Sequence, residues 1–150
     1  MQFVTYRPSP TASVGTTSGL SLNDGNWHHL VVVSDNSNSQ ILVYIDDNVE
    51  ITLTGLPAFT QGKTTGYLGS YNSAGNGYSW DGQFDQVRIF NKALSSSEVT
   101  TLYGENNTST TKSTTDIFDD GSGVALYEFE KGAIDTGGGS GYIGSGGVFN

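Results

Sequence analysis

No cysteine occurs in the chain, so no disulfide framework holds it together or reports the redox compartment it occupies. Basic residues are nearly as scarce. Arg7, Lys63, Arg88, Lys92, Lys112 and Lys131 are scattered along the chain and face fifteen acidic residues, for a formal net charge of −9. A phosphate-binding surface needs clustered Lys and Arg to displace counterions. Nucleic acid is therefore excluded as a partner, and anionic membranes are disfavoured on the same ground. Cations are the more natural partners. No apolar run approaches the roughly 20 residues that span a bilayer, so membrane insertion is not expected. Met1–Pro10 has neither the basic start nor the apolar stretch of a signal peptide, which says little if the chain is a piece of a longer protein.

What is present points to strands. Twenty-one glycines, three prolines and abundant Ser, Thr and Asn supply frequent reversals, the profile of an all-β chain. Phe3-Val4-Thr5-Tyr6 reads as a strand that runs into Arg7-Pro8-Ser9-Pro10. Thr11 to Asn26 is polar, with weak alternation. Trp27 to Ser34 is the clearest strand, and its β-branched run suggests burial on both faces. Gln40 to Asp46 is a second strand, and Asp46-Asp47-Asn48 reverses the chain into Val49 to Leu53. Thr65 to Gly69 is a shorter candidate, and Gln83 to Phe90 another, with Asp85, Val87 and Ile89 on one face.

One helix is expected. Ser95 followed by Glu98 has capping-box spacing, Leu94 and Val99 have the spacing of a hydrophobic staple, and Gly104 is a plausible stop. The stretch 105–123 is rich in Ser, Thr, Asn and Asp, has almost nothing to bury and reads as a linker. A further strand, Val124 to Phe129, follows it, and Val148-Phe149-Asn150 looks like the start of one more.

Several of these pieces, in order, resemble the LamG-like, concanavalin A-type jelly roll. Trp27-His28-His29-Leu30-Val31-Val32-Val33 resembles its Trp-His-His strand. Leu42-Val43-Tyr44-Ile45-Asp46-Asp47 resembles the strand after it. Gly82 to Ser95, with Glu98-Val99, resembles its closing strand and helical turn. The resemblance implies an antiparallel β-sandwich with one short helix near the end of the main module. Residues 1–104 would be the main part of that module and 105–123 a linker. In 124–150, Ala125 to Phe129 and Asp135-Thr136-Gly137-Gly138 resemble the family's first strand and turn. This last stretch then begins a following copy, or closes the same sandwich as a permuted strand beside Gln83 to Phe90. A third outcome is strand exchange between chains, because unfinished sheets expose edges that seek pairing.

Candidate sites each carry a plainer alternative. Tyr71, Asn72, Asn76, Tyr78 and Trp80 combine aromatic faces that stack on sugar rings with amides that bond hydroxyls. Alternatively Tyr67 and Trp80 fill the edge of the core. The resemblance implies a calcium ion near the first and last strands, with Asp85 and Asp135 at the matching positions. The alternative is that Asp85 bonds local backbone and Asp135 makes a turn. His28 and His29, being adjacent, face opposite ways on a regular strand and are expected in the framework. Asp46, Asp47, Asp119 and Asp120 are expected as solvated turn residues, and the group Asp116, Asp119, Asp120 is too loose to make a site.

No enzyme is expected. The retaining glycosidases of this fold carry a Glu-x-Asp-x-x-Glu run, and none occurs here. A nucleophile elbow and a phosphate loop are also missing. The expectation is a non-catalytic binding or adhesion module of an extracellular or particle-surface protein, for a glycan or a cell-surface partner. The alternatives are a structural module of a virion, fibre or repeat array that self-associates by strand pairing, and part of a glycoside hydrolase of the same fold.

Overall fold

A computed structural model describes residues 2–5, 13–16, 21–56, 68–69, 81–105 and 114–129. Among these residues seven strands and one helix follow in chain order: β1 (Gln2–Thr5), β2 (Ser13–Thr16), β3 (Leu30–Asp35), β4 (Gln40–Ile45), β5 (Asn48–Leu53), β6 (Val87–Phe90), α1 (Ser96–Gly104) and β7 (Gly123–Tyr127). The chain divides into two compact units, Met1–Thr60 with Phe90–Lys112 and Gln61–Ile89 with Ser113–Asn150. Each unit thus draws on two separate stretches of the chain.

The first unit holds an antiparallel hairpin, β1–β2, and an antiparallel meander, β3–β4–β5. β2 falls in the polar stretch from Thr11 to Asn26, where no distinct strand is expected, and it lies beside β5. β4 is the central strand of the meander, and Ile41, Val43, Tyr44 and Ile45 on it are buried. Ile41 and Val43 pack with Ile51 and Leu56, with Leu53 against them, as one apolar cluster. The chain re-enters this cluster at Leu56, whose N–H donates to the Ser39 carbonyl at 3.0 Å.

β3 departs from expectation. Its apolar run suggests burial on both faces, but Val33 is its one buried residue while Leu30 and Val32 are exposed. Among the described residues β3 has a single strand neighbour, β4, and its burial alternates, so one face meets the core while the face with Leu30 and Val32 is left uncovered. The run also starts later, at Leu30 rather than Trp27.

Two turns shape the meander. Asp35 closes the first: its carboxylate accepts from Asn38 N–H at 3.1 Å and Asn38 Nδ2 at 2.6 Å. Asp46 and Asp47 form the second, with φ of 49° and 70°. Ile45 pairs with Asn48 across this two-residue loop. Positive φ at both central positions is the geometry that matches strand twist, and Asp tolerates it better than most residues.

α1 forms as its sequence dictates. Ser95 is the N-cap; its side chain accepts from Glu98 N–H, and the Glu98 carboxylate accepts from Ser95 N–H at 2.8 Å. Leu94, Val99 and Leu102 are buried. The helix continues through Gly104, and Glu105 is its C-cap.

In the second unit β6 and β7 are sheet neighbours, so the strand that follows the Ser/Thr-rich stretch lies beside Val87–Phe90 in the same chain. β6 is shorter than the expected 83–90 because Gln86 takes a positive φ of 53°, which breaks the alternation before Val87. On β7, Ala125 and Leu126 are buried.

The described part of the expected linker, 114–122, is built rather than loose. The Asp116 carboxylate accepts from Gly121 N–H at 2.7 Å and Gly123 N–H at 3.2 Å, and Asp120 accepts from Ser122 N–H at 3.0 Å. Thr115 and Ser122 are buried. One carboxylate that accepts two backbone N–H groups closes this turn, a contact between residues five and seven apart that composition does not report.

Candidate functional site

Among the described residues, the densest grouping of titratable side chains surrounds His28 at the foot of β3. The β3–β4 pairing brings it together: Leu30 opposes Ile45, so the next residues outward, His29 and Asp46, also meet. Asp46 N–H donates to the His29 carbonyl at 3.0 Å, and the Asp46 carboxylate accepts from His29 N–H at 2.8 Å. The other Asp46 oxygen lies 2.6 Å from His28 Nδ1. On the far side of the ring, His28 Nε2 lies 3.2 Å from Asp24. Asp24 is itself fixed by Asn26, through its N–H and its Nδ2, each at 2.9 Å.

The electrostatics follow from these contacts. The hydrogen bond to Asp46, then that to Asp24, raises His28 above the ordinary imidazole value. Asn26 above all, with His28 behind it, lowers Asp24 to about 2. Partial burial pushes Asp46 upward, but the hydrogen bonds from His28 and from His29 N–H outweigh it and hold the carboxyl below its usual range.

A second tier ties this corner to the helix. Thr100 Oγ1 donates to the Asp47 carboxylate at 2.9 Å, and the His29 ring lies 5.8 Å from that of Tyr103. The two histidine rings thus go to different partners, His28 to Asp24 and Asp46 and His29 to Tyr103. Asp46 and Asp47 are not merely solvated turn residues: both are half-buried and bonded to groups outside the turn. The sequence hides this cluster because Asp24, His28 and Asp46 converge only once β3 and β4 are in register. Asp119 and Asp120 are exposed, as expected.

The sugar-stacking candidates Tyr71, Asn72, Asn76, Tyr78 and Trp80 lie outside the described residues, as does Asp135. Asp85 is described. It precedes β6, is exposed, and does not share a strand face with Val87 and Ile89, because the backbone reverses sense at Gln86. One exposed carboxylate supplies two of the roughly six to eight oxygens that calcium takes. Among the described residues no group of three or more His, Asp or Glu is placed to hold a metal ion. The described donors therefore do not by themselves make a calcium cage. At the same end of the meander, directly before His28, Trp27 is 65% exposed, and the nearby polar residues Asn23, Asp24 and Asn26 are exposed too.

No helix among the described residues is long and apolar enough to cross a membrane. A family model described as the concanavalin A-like lectin/glucanases superfamily matches residues 2–100, more than half of the chain. No curated protein matches the chain. Among solved structures, an S-layer domain-containing protein (residues 221-444) from Clostridium thermocellum ATCC 27405 is similar at 24% identity and a TM-score of 0.48. The match covers 68% of this chain and 50% of that one.

Proposed function

This chain belongs to the concanavalin A-like lectin/glucanases superfamily, and from that premise we propose that it is a non-catalytic module that binds a glycan, or a cell-surface partner that carries one, outside the cell or on a particle surface. The family match is the observation that carries this reading. The superfamily's name joins sugar binders and sugar-cleaving enzymes, and carbohydrate is what the two share. Binding is favoured over cleavage by the sequence, which lacks the Glu-x-Asp-x-x-Glu run of the retaining hydrolases. The stacking surface would be supplied by Tyr71, Tyr78 and Trp80, with Asn72 and Asn76 bonding hydroxyls. A glycan array probed with the wild-type chain and with Tyr78→Ala and Trp80→Ala tests this. Signal on a defined glycan class that both variants weaken supports it; no signal on any glycan overturns it.

Calcium belongs to the same proposal through Asp85 and Asp135. Thermal unfolding in calcium and in chelator is expected to give separate midpoints, and Asp85→Asn to merge them. Identical midpoints for the wild-type chain remove the ion.

A second reading, a structural module that assembles by strand pairing, is favoured by β3, which among the described residues has one strand neighbour and also exposes Leu30 and Val32. Sedimentation distinguishes it: a strict monomer over a wide concentration range excludes assembly through this edge.

A further inference from the structure

Two carboxylates approach the same imidazole from opposite sides, at 2.6 Å on Nδ1 and 3.2 Å on Nε2. An ionised carboxylate only accepts hydrogen bonds, and a neutral imidazole has only one N–H to donate. Both contacts are therefore satisfied together only when His28 carries two protons. We propose that His28 is a protonation latch: as imidazolium it pins the Asp24–Trp27 lead-in to the Asp46–Asp47 turn, and loss of one proton undocks that lead-in.

The two sides of the latch are unequal. Asp46 is held by a second bond, from His29 N–H, and belongs to the two-residue loop between β4 and β5. Asp24 is more exposed than Asp46, at 40% against 32%, and its remaining bonds come from Asn26 in its own segment. The proton on Nε2, facing Asp24, is the one given up. A bare Nε2 lone pair then faces the Asp24 carboxylate, and like partners repel. What lets go is the lead-in, Asp24 to Trp27; β3, β4 and the turn stay paired. The charged and titratable groups around the ring are Asp24 from the lead-in and Asp46 from the turn. Behind them stand Asp47, bonded to Thr100 of α1, and His29, whose ring meets Tyr103.

The direction in pH is fixed. The latch is closed below the ordinary imidazole value of 6.5 and opens as pH rises through the raised value of the folded protein. At the acid end it fails again, as pH falls through the lowered values of Asp24 and Asp46. Trp27 sits in the segment that is released and reports on it.

The test is an NMR titration of the full chain carrying Trp80→Phe, which leaves Trp27 as the sole tryptophan. His28 is expected to titrate above 6.5, with the Asn26 amide and the Trp27 indole shifting along the same curve. Asp24→Asn, an exposed substitution that spares the fold, is expected to bring the midpoint back toward the ordinary value. His28→Gln is expected to abolish the pH response of Trp27 fluorescence between pH ~5 and ~8, the range in which histidine titrates. A His28 midpoint at or below 6.5, or Asn26 and Trp27 signals that stay fixed while His28 titrates, overturns the proposal.

Discussion

Gly123 opens β7 at a point where no side chain fits. A Cβ built there would lie 2.2 Å from the Thr115 carbonyl oxygen, a backbone atom that cannot rotate away. Gly121, two residues earlier, is the opposite case: it has open space around it but a φ of 76°. Gly123→Ala is therefore expected to cost about 1–3 kcal/mol, the range for forced overpacking, or more. Gly121→Ala costs about 1–2 kcal/mol, for left-handed backbone alone. Urea unfolding of the two variants distinguishes clash from strain, and equal midpoints with the parent chain would mean that the turn is not held as described. This turn shows where a sequence stops being legible. Asp116 is plain to see, but its acceptance of two N–H groups depends on a backbone path that no residue type announces. His28 is the same: its residue type was visible, its partners were not, because they come from positions 24 and 46.

Elements announced by local chemistry are the ones that sequence reasoning recovers. The helix is the clearest. Ser95, Glu98, Leu94 and Val99 lie within one short stretch; the first two form the capping box that their spacing implies, and the last two are buried. Ser95→Ala is expected to lower stability by about 1 kcal/mol, the usual loss for a removed N-cap. Glu98 adds an acid sensitivity. Its bond to Lys92 first, then that from Ser95 N–H, lowers its carboxyl below 4.5. Its contribution is thus complete above that ordinary value and disappears as pH falls through the depressed one. Acid unfolding followed by the helical signal at 222 nm should start at higher pH in the parent chain than in Glu98→Gln, relative to each variant's neutral-pH stability. The strand run in 30–35 was equally visible, but its second buried face was not real. Apolar content reports that a strand will form, whereas the layers that pack on its sheet decide how many faces are covered.

At the level of the whole molecule, two compact units each draw on two stretches of the chain. Strand content and the antiparallel meander were legible because they rest on short-range alternation. The union of β6 with β7 was legible only as one of three outcomes, since nothing local in either strand selects its neighbour. Leu126, fully buried on β7, makes that union testable: Leu126→Ala is expected to cost about 2–5 kcal/mol and to accelerate amide exchange across Val87–Phe90. Unchanged exchange in β6 would show that the two strands are not held together.

The β6–β7 pair also sets a schedule. Phe90 and Gly123 are 33 positions apart, so during synthesis β6 leaves the ribosome well before its neighbour exists. At about 5–20 residues per second the edge that β7 will take waits a few seconds for its partner, whereas the β3–β4–β5 meander can zip as it emerges. Mispairing of β6 thus has its opening between the emergence of Phe90 and that of Gly123, and that interval is when a chaperone would protect it.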